Sequence, residues 1–136
     1  MVSLQPVWAV ATAWLKAGTH WAGGCAEACQ GGFGDVVLHP DFASNQLVYL
    51  SYAEEGSNNT RGAAVARAKL VLAADGAGTL QDLSVIWRQD AKVSGNGHYG
   101  HRIAFGPDGK LWITSSERQK FDPAQDMSGN LGKIIR

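Results

Sequence analysis

From Gly31 onward, short apolar runs alternate with polar turn residues, which is typical of strands joined by tight turns. Four such runs follow one another, at residues 35–38, 46–52, 63–72 and 83–87. In the third run alanines occupy one face while Arg67 and Lys69 lie on the other, so we expect a sheet with one tightly packed face. Four short antiparallel strands in succession predict one blade of a β-propeller.

The first half of this blade is repeated further along the chain. DVVLHPDF at residues 35–42 precedes LVYLS at 47–51, and RIAFGPDG at 102–109 precedes LWITS at 111–115. Each copy is an apolar strand, a Pro-Asp turn and a second apolar strand that ends at Ser. A repeated unit of this kind indicates a propeller or another array; chance similarity of two hairpins is the alternative. The fold class predicted is all-β, a partial propeller of about two four-stranded blades.

The two ends of the chain differ from this pattern. Residues 1–29 show no clean strand or helix period, although a faint third copy starts at residues 7–11, so we expect an irregular N-terminal segment followed by a propeller domain over residues 30–136. Two blades cannot close a ring, and residues 133–136 resemble part of a strand. The sequence is therefore interpreted as a fragment. Trp87 and Trp112 fall within strands and are expected in the core.

Composition narrows the possible partners. Twelve basic and twelve acidic residues cancel, so we expect neither a nucleic-acid partner nor insertion into a membrane. The apolar run at residues 7–15 has no Lys or Arg before it, and no signal peptide is visible. Cys25 and Cys29 are too few for a thiolate zinc site, and no metal site is predicted.

The densest polar cluster is SGNGHYGHR at residues 94–102, in the connection between the two predicted blades. Such connections lie at the mouth of a propeller, and a histidine there, His98 or His101, can accept a proton near neutral pH. An ordinary surface histidine is the alternative. Glu117, after the repeated strand, is either a carboxylate that orients the histidine or a solvated loop residue beside Arg118 and Lys120. Gln30, at the start of the preceding blade, could hydrogen-bond a sugar hydroxyl.

The sequence resembles the soluble quinoprotein glucose and aldose sugar dehydrogenases, the glucose/sorbosone dehydrogenase family, and its aldose branch in particular. The matching stretches, in the family's order, are QGGFGDVVLHPDF at 30–42, LVYLSYA at 47–53, AVARAKL at 64–70, GHYGHRIAFGPDG at 97–109 and AQDMSGNLGKIIR at 124–136.

The resemblance implies a six-bladed propeller that binds pyrroloquinoline quinone (PQQ), with calcium, and oxidises aldose sugars at C1. By the same resemblance His98 is the catalytic base, Glu117 is its acidic partner, and Gln30 contacts the substrate. Gly97 stands at a substrate-binding position where the glucose enzyme has aspartate, which leaves glucose specificity open. His101 replaces a small residue and is expected to be incidental.

Several consequences follow from the same resemblance. The family's cofactor and calcium ligands come largely from later blades, so this chain alone is expected to bind neither group. The substrate is expected to be an aldose, the electron acceptor is not identified, and the location is expected to be periplasmic or secreted. A non-catalytic propeller used as a binding module is the alternative, and a non-functional fragment is the third possibility.

Overall fold

The computed structural model describes residues 32–136. Within them, seven strands form two antiparallel sheets. The strands are β1 (Phe33–Leu38), β2 (Leu47–Glu55), β3 (Arg61–Leu72), β4 (Gly78–Arg88), β5 (Gly100–Phe105), β6 (Leu111–Ser115) and β7 (Lys133–Ile135). One short helix, α1 (Phe42–Asn45), follows the first Pro-Asp turn, and a 3-10 turn spans Asp122–Ala124. The predicted irregular segment 1–29, including both cysteines, and Gln30 lie outside the described residues.

The first sheet has the order β1-β2-β3-β4, with every neighbour antiparallel. This confirms the four strands predicted for the first blade, although β4 begins five residues earlier than the apolar run indicated (78 rather than 83). The alternation in β3 is also confirmed: Ala66 and Ala68 are buried, while Arg67 and Lys69 are exposed. The small side chains allow close packing of this face.

The second sheet has the order β5-β6-β7, so its central strand is β6. Ile113 in β6 pairs with Ile103 on one side and with Ile135 on the other. The apolar residues predicted as a strand at 133–136 therefore pair with the repeated hairpin. No helix among residues 32–136 is long and apolar enough to cross a membrane.

The two sheets pack face to face through a shared apolar cluster. Tyr49 and Val65 of the first sheet lie against Ile103 and Ile113 of the second, and all four are buried. Burying one such side chain stabilises the folded state by about 1.5–3 kcal/mol. The first sheet has the four strands of a propeller blade, and the second has three strands among the described residues. The predicted partial β-propeller is thus confirmed.

The two strand tryptophans do not share one environment. Trp87 is half-buried and packs against the cluster between the sheets. Trp112 is 39% exposed, so the expectation that it belongs to the core is wrong. Side chains alternate along a strand, and Ile113 points towards the first sheet, so its neighbour Trp112 lies on the opposite face.

The connection between the sheets, residues 89–99, is fixed to both of them. Gln89 is buried, and its amide Nε2 donates to Ser115 Oγ and to the Ser116 carbonyl, each at 2.9 Å. Its Oε1 accepts the Ala63 N–H at 3.2 Å. One side chain therefore joins β3 to the end of β6, where the polar cluster of the sequence lies.

Candidate active site

Two predicted site residues meet where the connection passes the end of β6. His98 Nδ1 lies 3.2 Å from Glu117 Oε1, although the two residues are 19 positions apart in sequence. The His98 side chain is 52% exposed and that of Glu117 is 21% exposed. The structure thus brings the histidine and the carboxylate into contact at an accessible position. Their catalytic roles stay predictions.

Hydrogen bonds to Glu117 favour its ionised form and select the tautomer of His98. The second carboxylate oxygen, Oε2, accepts the Gln119 backbone N–H at 2.9 Å. This bond, and then the bond from His98, lower the pKa of Glu117. An ionised carboxylate can only accept, so the proton of a neutral His98 ring belongs on Nδ1. Nε2 then carries the lone pair, and the pair can take up a proton there with Glu117 stabilising the imidazolium.

The backbone around the pair is unusual. His98, Arg118 and Gln119 have φ values of 51°, 60° and 58°, a left-handed conformation that non-glycine residues adopt infrequently. Residues held in such conformations cluster at functional sites. Gly100 has φ 76°, and a Cβ there would lie 2.8 Å from the Ser116 nitrogen, so this turn requires glycine.

The structure gives no contact that tests the substrate-binding roles predicted for Gln30 and Gly97. Gly97 is buried, and its carbonyl accepts Nε–H of Arg118 at 2.7 Å. Gln30 lies outside the described residues. Both assignments stay predictions.

His101, the second histidine of the cluster, lies in the packed interface between the sheets. It is 5% exposed, its Nδ1 is 3.2 Å from Ser51 Oγ, and its ring stands edge-on to Tyr99. Burial lowers its pKa to about 4. The Gly34 backbone lies so close that a Cβ there would be 2.0 Å from the His101 ring. His101 therefore packs against the neighbouring sheet and does not face the space beside His98.

Arg118 is the residue near the site that the sequence did not reveal. The loop-glutamate alternative treated it as a solvated neighbour of Glu117, yet it is only 2% exposed. Its guanidinium donates to carbonyls of the connection and of β3. No signal in the sequence distinguishes this arginine from exposed Lys120, because its burial depends on residues far along the chain.

The described residues offer little to a quinone cofactor. PQQ is a tricarboxylate and needs cations, but Arg118 turns its donors to carbonyls and Lys120 Nζ donates to Ser94 Oγ at 3.3 Å. Residues 32–136 also contain no cluster of three or more His, Cys, Asp or Glu side chains that could hold a metal ion. The part described here fits a proton acceptor and does not fit a complete quinone or calcium site.

Comparisons with known proteins agree on one family. The Glucose / Sorbosone dehydrogenase family profile matches residues 16–136. Aldose sugar dehydrogenase YliI from Escherichia coli (strain K12) is 37% identical over 116 residues, which are 85% of this chain and 29% of that protein.

Solved structures give the same result. A crystal structure of glucose dehydrogenase superposes with a TM-score of 0.73 at 38% identity, over 79% of this chain and 30% of the other. The PQQ-bound aldose sugar dehydrogenase of Streptomyces coelicolor gives a TM-score of 0.66 at 26% identity, over 82% and 31%. The chain thus spans 29–31% of the length of these relatives. Since the family profile covers most of its residues, the chain belongs to the glucose/sorbosone dehydrogenase family.

Proposed function

We propose that the protein containing this chain oxidises aldose sugars at C1 to the lactone, with His98 as the base and Glu117 as its partner. The observation that carries the proposal is the 3.2 Å contact between His98 Nδ1 and Glu117 Oε1 at an accessible position. A propeller that only binds a partner has no need of a carboxylate that fixes the tautomer of an exposed histidine.

The proton chemistry follows from the contact. Glu117 holds the Nδ1 proton of His98, which leaves the Nε2 lone pair to remove the proton from the anomeric hydroxyl. The O–H electron pair then forms the C1=O bond as C1 releases hydride, and Glu117 stabilises the imidazolium. When bound, PQQ supplies the two-electron acceptor for such an oxidation. Residues outside 32–136 would hold most of the quinone and the calcium.

The substrate and the location complete the proposal. Relatives named aldose sugar dehydrogenase and glucose dehydrogenase support an aldose as substrate. We assign Gln30 and Gly97 to substrate contacts, and the absence of a side chain at Gly97 favours acceptance of several aldoses. The protein would act in the periplasm or outside the cell.

The test uses the full-length gene product that contains these residues. The purified protein is loaded with PQQ and Ca²⁺, and aldose-dependent dye reduction is measured with several sugars. We expect activity, and we expect His98→Ala to reduce kcat by about 10²–10⁴-fold, the contribution of a general base. His39→Gln is the matched control, because His39 lies at the first Pro-Asp turn away from the pair and glutamine can still accept a hydrogen bond.

Each result bears on a different part of the proposal. A loaded full-length protein that oxidises no aldose contradicts the function. Unchanged turnover in His98→Ala, with activity in the parent, contradicts the role of His98. Glu117→Gln keeps the shape but loses the charge, and it should lower kcat with quinone binding retained. The 136-residue chain alone should reduce no dye.

A further inference from the structure

We propose that Arg118 is a positioning residue whose guanidinium holds the loop at residues 93–99 in the conformation that presents His98 to Glu117. The structural part of this proposal stands on the contacts of Arg118 alone. Its consequence for turnover rests on the proposed function.

Arg118 reaches three backbone carbonyls in two separate stretches of the chain. Nε donates to the Gly97 carbonyl at 2.7 Å, Nη2 donates to the Gly95 carbonyl, and Nη1 donates to the carbonyl of Arg61 at the start of β3. The guanidinium carbon also lies 3.8 Å from the centre of the Tyr99 ring. Only a planar fork of donors can serve several fixed acceptors and a ring face together. The contacts therefore depend on the shape of the guanidinium as well as on its charge.

The charge of Arg118 is compensated mainly by the loop. Within residues 32–136 its guanidinium donates no hydrogen bond to a carboxylate, and the oxygens of neighbouring Glu117 accept from His98 and from the Gln119 N–H. A buried cation needs partners, and carbonyl dipoles and an aromatic face provide them here. Loss of the loop conformation would leave Arg118 buried without those partners. The arginine and the loop thus stabilise each other.

Both ends of the loop also have backbone hydrogen bonds. At the first end, Arg61 and Val93 exchange backbone hydrogen bonds of 2.9 and 3.1 Å. At the other end, the Tyr99 carbonyl accepts the Ser116 N–H at 3.1 Å.

Between these ends, the Gly95 and Gly97 carbonyls are held by Arg118, and His98 follows directly. A side-chain bond from Arg61 Nη1 to Asn96 Oδ1, 3.0 Å, supports the same stretch at the surface. Release of the clamp should therefore displace the middle of the loop and the His98 ring.

The first experiment measures the loop without reference to activity. Hydrogen exchange is compared in the full-length parent, Arg118→Lys and Arg118→Met, with Arg67→Lys and Arg67→Met as controls at an exposed position in β3. We expect the hydrogen-bonded amides at the two ends of the loop, those of Val93 and Ser116, to exchange about 10-fold faster or more in the Arg118 variants only, as a locally opened segment does. Unchanged exchange there overturns the proposal. If methionine prevents folding, Arg118→Lys decides the result.

The second experiment links the clamp to His98. A base displaced by about 1 Å can lose up to about 100-fold in rate, so Arg118→Lys should lower kcat by about 10- to 100-fold with little change in KM. Lysine keeps the positive charge but lacks the planar set of donors of the guanidinium. Full activity in Arg118→Lys would therefore overturn a role based on the shape of the guanidinium. In a His98→Ala background, Arg118→Lys should lower kcat little further, because both substitutions act through the His98 ring.

Equal losses of kcat in both backgrounds would show that Arg118 acts on overall structure and not through His98. If the parent protein oxidises no sugar, the proposed function fails while hydrogen exchange still decides whether the clamp exists.

Discussion

Acid should destabilise the contact between the two sheets through His101, and His101→Gln should remove that part of the acid sensitivity. The ring is 5% exposed and touches Ser51 Oγ at 3.2 Å. Burial is the main cause that lowers its pKa to about 4; nearby Asp35 opposes the shift, and Arg102 and Arg118 add to it. The folded protein therefore holds this histidine neutral under conditions in which an unfolded chain would protonate it.

The size of this destabilisation and the pH range in which it occurs follow from the difference between the pKa values of His101 in the unfolded and folded states. Above the unfolded pKa of 6.5 the histidine is neutral in both states and contributes no pH dependence. Between 6.5 and about 4 the unfolded chain binds a proton that the folded chain excludes, so the free energy of unfolding falls by about 1.4 kcal/mol per pH unit. The loss is about 2 kcal/mol at pH 5 and about 3 kcal/mol at pH 4, and it levels off at about 3.4 kcal/mol below that.

Urea unfolding at pH 7 and pH 5 measures this loss. The parent, His101→Gln and Gln81→Ala are compared, because Gln81 is exposed on β4 and its replacement introduces no titrating group. All three proteins contain the same carboxylates, so the comparison isolates the effect of His101. We expect the parent and Gln81→Ala to lose about 2 kcal/mol more than His101→Gln. An equal loss in His101→Gln would refute the reasoning.

Three further sets of substitutions test the contacts described above. Gly34→Ala places a Cβ 2.0 Å from the His101 ring and should lower the free energy of unfolding by about 1–3 kcal/mol, measured by thermal unfolding. Adding His101→Ala to this variant should recover part of the loss. Strictly additive effects of the two substitutions would contradict the contact. Gln89→Leu removes three hydrogen bonds and should cost about 3 kcal/mol in urea, whereas a change below about 0.5 kcal/mol would contradict its bridging role. Gly95→Ala and Gly76→Ala both force alanine to positive φ in open space, and each should lower the free energy of unfolding by about 1 kcal/mol. Only Gly95→Ala should also lower kcat. Equal kcat values in the two variants would count against the clamp.

The sheets were predictable because their signal is local. Alternation with a period of two marks one buried face, and β3 carries it clearly in its alanines and in Arg67 and Lys69. The repeated Pro-Asp hairpin identified the second sheet for the same reason. The residues alone left His98 and His101 as alternatives, and the family resemblance implied the pairing of His98 with Glu117 that the structure shows as a contact.

The parts that sequence reasoning missed depend on contacts between distant residues. Arg118 is buried because its guanidinium reaches Arg61, 57 positions earlier, and His101 is buried against Ser51, 50 positions earlier. Arg118 carries no local pattern that distinguishes it from an exposed neighbour; the alternation of β5 places His101 on the face of buried Ile103, but it does not identify Ser51 as the partner. The prediction that Trp112 is buried was wrong for a related reason. The strand pattern shows which residues share a face, but only the position of the first sheet decides which face of the second sheet is covered.

The described residues also separate two tasks of the proposed reaction. The proton acceptor and its supports all lie in residues 61–119: His98 is in the connection, Glu117 follows β6, and Arg118 ties both to the start of β3. Two consecutive sheets therefore suffice to build the pair. The proposal assigns most of the groups that hold the quinone to residues outside 32–136. We therefore expect changes in the clamp or the base to act on turnover and to leave quinone binding largely intact.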